Sequence, residues 1–129
     1  MRKVVLMMLL AVASSSAMAE WLKVGSNEIT AIYVDPTTIK KEGHLAKMWH
    51  LVDFKNVKKD MGEAYLSTKD QNEYDCKEEK MRRRAFSEHS ENMGGGKMVY
   101  SDSFTTKWKP IQAESGLEVL WRFACGKKK

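Results

Sequence analysis

Two cysteines, Cys76 and Cys125, set the strongest limit on this chain, because the sequence ahead of them carries an export signal. Arg2 and Lys3 stand before an apolar run from Val4 to Ala13, and a small-residue segment ends in Ala17-Met18-Ala19, the pattern a signal peptidase reads. Residues 1–19 are therefore expected to be a signal peptide, with the mature domain at 20–129 beginning on Glu20. An exported chain meets an oxidising compartment, where two cysteines make one bridge and leave no thiol over. A catalytic thiol would want a base beside it, and a zinc site would want at least two further ligands at workable spacing. The histidines do not supply them. His44 and His50 fall in one apparent strand, about 20 Å apart at the usual rise per residue, and His89 reads as a solvated side chain. No metal and no cofactor are expected.

The mature length suits one domain of modest core. Removing Arg2 and Lys3 from the 22 basic residues leaves 20 against 17 acidic ones, a surplus of three. Such mild basicity, in an exported chain, argues against nucleic acid as a partner. The apolar run of the leader is too short to span a bilayer as a helix, and no second candidate span follows it.

Turn signals divide the domain into short strands. Ile29 to Asp35 is rich in β-branched and aromatic residues and stops at Asp35-Pro36. His44 to Phe54 follows Glu42-Gly43, a third strand follows Met61-Gly62, and the segment "EYDCKEEKMRRRAF" is set off from "KMVYSD" by the glycine-rich "NMGGG". These are hairpin spacings, so an antiparallel meander is expected. Residues 57–63, "VKKDMGE", read as an exposed loop. "MGGGK" is no phosphate loop, since Glu91 stands where the first glycine would be and no helix pattern follows.

Near the C-terminus the period changes. Leu117, Leu120, Trp121 and Ala124 fall on one helical stripe with Cys125 at its edge. Ser115 and Glu118 form a capping box, and Gly126 sits where a helix commonly ends in the left-handed conformation. About ten residues of helix are marginal alone, so the stripe must be buried on the sheet. A bond from Cys76, taken as part of a central strand, to Cys125 would pin that helix across the sheet. Closing a loop of that size is worth roughly 4 kcal/mol in the chain-entropy model.

The ordered motifs "AEWLKVG", "YVDPTTI", "WHLVDFK", "AYLSTKDQNEYDCKEEKMRRRAF", "MGGGKMVYSD" and "WKPIQAESGLEVLWRFAC" resemble those of the surface-adhesin protein E family, small exported proteins of Gram-negative bacteria. The resemblance covers essentially the whole mature chain. It implies an α+β fold, a single curved antiparallel sheet with a C-terminal helix tied to it by Cys76–Cys125, and no enzyme active site. It also implies adhesion, with host matrix and plasma proteins such as vitronectin or laminin as partners, and leaves room for a homodimer. Glu20 follows Ala19, so the chain has no lipobox cysteine at the cleavage point. That leaves two locations, the periplasm and the outer surface, and an alternative function as a periplasmic envelope protein that binds a peptide or small ligand. No motif supports a third possibility, an exported hydrolase.

Lys80, Arg82, Arg83 and Arg84 put four positive charges within five positions. If "EYDCKEEKMRRRAF" is one strand, Cys76, Lys80, Arg82 and Arg84 share a face, and Arg83 lies on the other with Met81. Cys76 must face the helix, yet the arginines cannot be buried there without partners. Either the helix covers only the Cys76 end or a bulge shifts the alternation. The uncovered part is then a basic shelf, either a solvated face paired with Glu78, Glu79 and Glu88 or a docking patch for an acidic partner. If the arginines prove inert, the loops at 57–61 and 92–96 are the next places to look.

Overall fold

The structure, a computed structural model, describes residues 20–59 and 62–127. The expected signal peptide at 1–19 lies outside the described residues, as do Asp60, Met61, Lys128 and Lys129.

The strands are β1 (Leu22–Ser26), β2 (Thr30–Val34), β3 (Lys40–Glu42), β4 (Leu45–Lys58), β5 (Tyr65–Asp75), β6 (Lys80–His89), β7 (Met98–Asp102) and β8 (Lys109–Pro110), followed by helix α1 (Gly116–Cys125). They form one antiparallel sheet in the order β1-β2-β4-β5-β6-β7. β3 adds to β4 at one end, and β8 adds to β6. The hairpin reading of the turn signals is borne out. Asp35 shapes the turn after β2, its carboxylate accepting from the Thr37 amide at 3.0 Å and the Thr37 hydroxyl at 2.6 Å.

α1 starts and stops as its sequence dictates. The Ser115 hydroxyl accepts from the Glu118 amide at 3.2 Å, and the Glu118 carboxylate reaches back to the amide of Glu114 at 2.9 Å. At the far end Gly126 takes φ 70°, a left-handed cap that any side chain would strain. Leu120, Trp121 and Ala124 of the stripe are buried, whereas Leu117 at its start is partly exposed.

The helix lies on the sheet face that carries Val34, Ala46, Met48, Tyr74 and Met81, and these form the core with Leu120, Trp121 and Ala124. Trp121 donates its indole N–H to the carbonyl of Asp75 at 2.8 Å, which satisfies the ring's one polar atom. The expected bridge is present, with Cys76 and Cys125 joined and their Cα atoms 5.6 Å apart.

The segment "EYDCKEEKMRRRAF" is not one strand. β5 ends at Asp75, Cys76–Glu79 make a tight turn, and β6 runs back from Lys80. The Asp75 carboxylate builds that turn by accepting from the amides of Lys77 and Glu78 at 3.0 and 3.1 Å, and Glu79 takes φ 52°. An Asp followed by a polar tetrad is a turn signal that the dense charge of the segment obscured. Cys76 therefore sits in a hairpin turn at the sheet's end, which frees it to meet the helix without committing Lys80, Arg82 and Arg84 to the same face.

Candidate binding surfaces on the two faces of β6

Cross-strand pairing sorts the four cations. Ala46, Tyr74 and Met81 align on the helix side, as do Met48, Asn72 and Arg83. Lys40, Lys47, Glu73 and Arg82 align across β3, β4, β5 and β6 on the opposite face. Between Gln71 and Asn72 the register slips, so Arg84 is an extra residue opposite no partner. This is the bulge that sequence alternation allowed for. Arg82 and Arg84 keep the common face that alternation gives them, away from the helix, and the slip brings Phe86, opposite Asp70, to the side of Arg83.

There the two arginines share one carboxylate. Glu73, with a side chain only 8% exposed, accepts from Arg82 Nε at 2.7 Å and from Arg84 at 3.4 Å. The Arg82 guanidinium also stacks on the Trp108 ring, 4.5 Å from its centre. Lys80 is different again, reaching only Glu78 in the turn at 3.3 Å, with both side chains half-exposed. No continuous basic shelf shares a face with Cys76. What exists is a row of Lys40, Lys47, Arg82 and Arg84 around a single Glu73.

Arg83 points to the helix side, beyond the end of the helix. One of its terminal nitrogens lies 3.9 Å from the Asp70 carboxylate, whose other oxygen is 3.9 Å from His50 Nε2. Its guanidinium covers the Phe86 ring at 4.4 Å. Arg83's own backbone is held by Thr106, whose hydroxyl accepts from the Arg83 amide and whose amide donates to the Arg83 carbonyl, both at 2.9 Å. Together with β7 and β8, that contact covers the outer edge of β6.

Burial governs the ionisation of this group. His50 is buried and its imidazole is held at about 4 by the cost of charging it there, so it is neutral at physiological pH. Asp70 is pushed up to about 6, chiefly by burial, against the opposing charge of Arg83. The 3.9 Å approach of His50 to Asp70 is thus no ion pair near neutral pH, and Arg83 is the cation that answers Asp70.

The other histidines fall apart in space as expected for His44, an exposed side chain 3.8 Å from Asp75. His89 is a correction. It is buried, not solvated, with an exposure of 5%, and its Nε2 is 2.7 Å from the Ser87 hydroxyl. Both lie on one face of β6, where they line a cleft of about 300 Å³ with Trp21, Trp49, Lys69 and Met98. No group of three or more His, Cys, Asp or Glu residues that could hold a metal occurs among the described residues.

The loop at 92–96 is tied down. Asn92 donates to the Asp53 carboxylate at 3.0 Å and to the Phe54 carbonyl at 2.9 Å, and the Gly94 amide donates to the Ser67 hydroxyl at 2.8 Å. In the other loop, Val57 and Lys58 belong to β4, Lys59 follows it, and 60–61 lie outside the described residues.

The family model for surface-adhesin protein E matches residues 21–126. The fold is similar to that of Haemophilus influenzae protein E in its crystal form II, with a TM-score of 0.67 and 11% identity over 85% of this chain and 90% of that one. A comparison with curated proteins finds no match. The family match spans nearly the whole described chain, and on that ground this chain belongs to the surface-adhesin protein E family.

Proposed function

We propose that the domain is an exported, non-enzymatic adhesin-type module that docks on host matrix or plasma glycoproteins such as vitronectin or laminin. The family supports adhesion in general. The observation that supports a docking surface is the cross-strand row, in which Lys40, Lys47, Arg82 and Arg84 surround one buried-edge carboxylate, Glu73. Such a row suits carboxylate- or sulfate-rich stretches, because arginine presents parallel donors and lysine adds a point charge. Lys80 and Arg83, counted with it in the sequence, stand apart from this row. The outer edge of β7, with Met98 and Tyr100 exposed, is where a homodimer would extend the sheet.

The test spares Arg82, which the buried Glu73 needs. Replacing Lys40, Lys47 and Arg84 with Gln should weaken binding to immobilised vitronectin and laminin by about tenfold, mostly through slower association, and added salt should reproduce part of the loss in the parent. Unchanged binding by the folded triple variant would remove the row from the interface.

A second reading, a periplasmic envelope protein that takes a peptide or small ligand, is favoured by the polar cleft around Arg83 on the other face. Protease treatment of intact cells separates the two. Cleavage places the domain at the surface, whereas protection until the outer membrane is opened places it in the periplasm.

A further inference from the structure

The sheet face away from the helix carries the cationic row at one end and a cleft of about 300 Å³ at the other. Two of the four tryptophans meet in this cleft, Trp21 from the segment ahead of β1 and Trp49 from β4. Both are half-buried, and among the described residues neither indole N–H has a hydrogen-bond partner. A ring that only fills a core is covered and satisfied, as Trp121 is at 5% exposure with its N–H on the Asp75 carbonyl.

The frame of the cleft is fixed. The Asp35 amide donates to the Trp49 carbonyl at 3.2 Å and the Trp49 amide donates to the Thr38 hydroxyl at 3.0 Å, so the turn after β2 holds the backbone that bears this ring. Opposite, the glycine-rich loop presses on Lys69. Gly94 takes φ 73°, and a Cβ there would stand 2.5 Å from Lys69 Cε, so any side chain would be strained and would push the lysine aside. The loop thereby sets the Lys69 ammonium 6.0 Å over the Trp21 ring, with no carboxylate in ion-pair reach among the described residues.

The polar groups are few and of mixed kind. Ser87 and His89, 2.7 Å apart, present a hydroxyl and an imidazole on the wall, and burial, helped by the Lys69 charge, lowers the His89 value and keeps the ring neutral at physiological pH. Lys69 and Asp35 are the one cation and the one carboxylate that line the cleft among the described residues, so its net charge is near zero and favours neither sign of ion. A plain hydrocarbon would leave Lys69, Ser87 and His89 unanswered. A pyranose ring fits both demands, because a flat patch of its C–H groups rests on an indole face while its hydroxyls turn to the polar wall.

We propose that this cleft binds one neutral sugar ring, laid against the indoles of Trp21 and Trp49 with its hydroxyls toward Lys69 and the Ser87–His89 wall. The volume is at the low end for ligand sites, which limits the fit to a single ring. The same chemistry is presented by a free monosaccharide and by the end residue of a glycan. The cleft is separate from Lys40, Lys47 and Arg84, so the inference stands whether or not that row binds glycoproteins.

Purified protein labelled for NMR is titrated with methyl β-galactoside and methyl N-acetyl-β-glucosaminide, and with the disaccharides lactose and diacetylchitobiose. Sorbitol serves as the polyol without a ring face, and N-acetyl-phenylalaninamide as a peptide side chain. The readout is the pair of indole N–H signals assigned by Trp21→Phe and Trp49→Phe. Both should shift saturably with at least one methyl glycoside, at millimolar affinity, and not with sorbitol. Tighter saturation by the corresponding disaccharide identifies a glycan end as the source, and equal affinity identifies a single free sugar. Trp21→Ala, one residue ahead of an edge strand, should weaken binding about tenfold, and Lys69→Met, which keeps the stem and loses the donor, several-fold. No saturation by any glycoside into the tens of millimolar, equal shifts with sorbitol, or full affinity in both folded variants would overturn the proposal. Saturation by N-acetyl-phenylalaninamide alone would overturn it too, and would make the cleft a peptide site.

Discussion

The two ends of the helix-bearing face of the sheet are built on opposite terms. At one end Ala46, Met48, Tyr74 and Met81 meet Leu120, Trp121 and Ala124, and the polar atoms present are answered: the Trp121 indole by the Asp75 carbonyl and the Tyr74 hydroxyl by Asn72 at 3.1 Å. At the other end, along the same strands, His50, Asp70 and Arg83 are drawn inward with no helix above them, and two of their nitrogens go unpaired. The first end behaves as a core, where water is excluded and contacts add up. The second holds its charges at a cost that only a neighbour, a solvent molecule or a ligand can relieve. Stability should accordingly be concentrated at the Cys76 end and pH sensitivity at the Arg83 end.

The largest effect should come from the staple. In Cys76→Ser/Cys125→Ser the helix keeps its apolar contacts but loses its covalent tie, and stability should fall by about 2–4 kcal/mol. Urea unfolding, followed by the fluorescence of the four tryptophans and by far-ultraviolet dichroism, reads it. The two signals should still coincide if helix and sheet end form one cooperative unit, and equal stability of variant and parent would show that packing alone holds the helix.

Much of the covered end was legible in sequence. The cap at Ser115, the stripe at Leu120, Trp121 and Ala124, the stop at Gly126 and the pairing of the only two cysteines each rest on local chemistry that a single segment carries. The uncovered end was not legible, for two reasons. The turn at Cys76–Glu79 was hidden in a charge-rich run, so the strand phase was assigned one hairpin too early. A bulge at Arg84 then resets the phase beyond it, so that Phe86, which alternation alone sets on the face of Arg82 and Arg84, lies beside Arg83 on the other. Nor could His50 be told from an ordinary strand histidine, because its burial depends on Asp70 and Arg83 from two other strands. An alternating apolar pattern through Ala46 and Met48 does point His50 to the core side, and that was the one signal available.

The next effect separates the two ends by pH. His50 is held at about 4, below its ordinary 6.5, so it contributes stability that is fully present above pH 6.5 and is lost as pH falls toward 4. Asp70 works in the opposite sense. Its value is raised from 3.8 to about 6, first by burial, with Arg83 opposing, a Thr68 hydrogen bond also lowering it and Asp102 adding to the rise. The cost of its buried charge is therefore felt above pH 6 and disappears as pH falls toward 3.8. Between about pH 4 and 6 the two slopes oppose each other in the parent. Asp70→Asn should expose the histidine's slope, with a variant that loses on the order of 2–3 kcal/mol relative to the parent as pH drops from 6.5 to 4. His50→Gln should gain relative to the parent over the same range. Parallel stability profiles for all three proteins would mean that neither group is buried as described.

The smallest effect tests whether the four cations that sit together in sequence have anything in common. Lys80 lies in the hairpin turn with its ammonium 3.3 Å from Glu78, and the two side chains are 45% and 58% exposed. Water screens such a pair and both long side chains lose freedom in forming it, so Lys80→Ala should change stability by less than about 0.5 kcal/mol. Arg82, two positions on, is bound to a carboxylate that is almost wholly buried, and its removal leaves Glu73 with only the longer contact to Arg84. Arg82→Ala should cost more than Lys80→Ala by at least about 1 kcal/mol, because the stranded carboxylate bears the penalty. Both variants are read in the same urea titration at neutral pH, with Glu73→Gln/Arg82→Ala as a third. If the third regains stability over Arg82→Ala, the loss belonged to the unpaired charge of Glu73. Equal losses in Lys80→Ala and Arg82→Ala would instead return all four cations to the role of one solvated face.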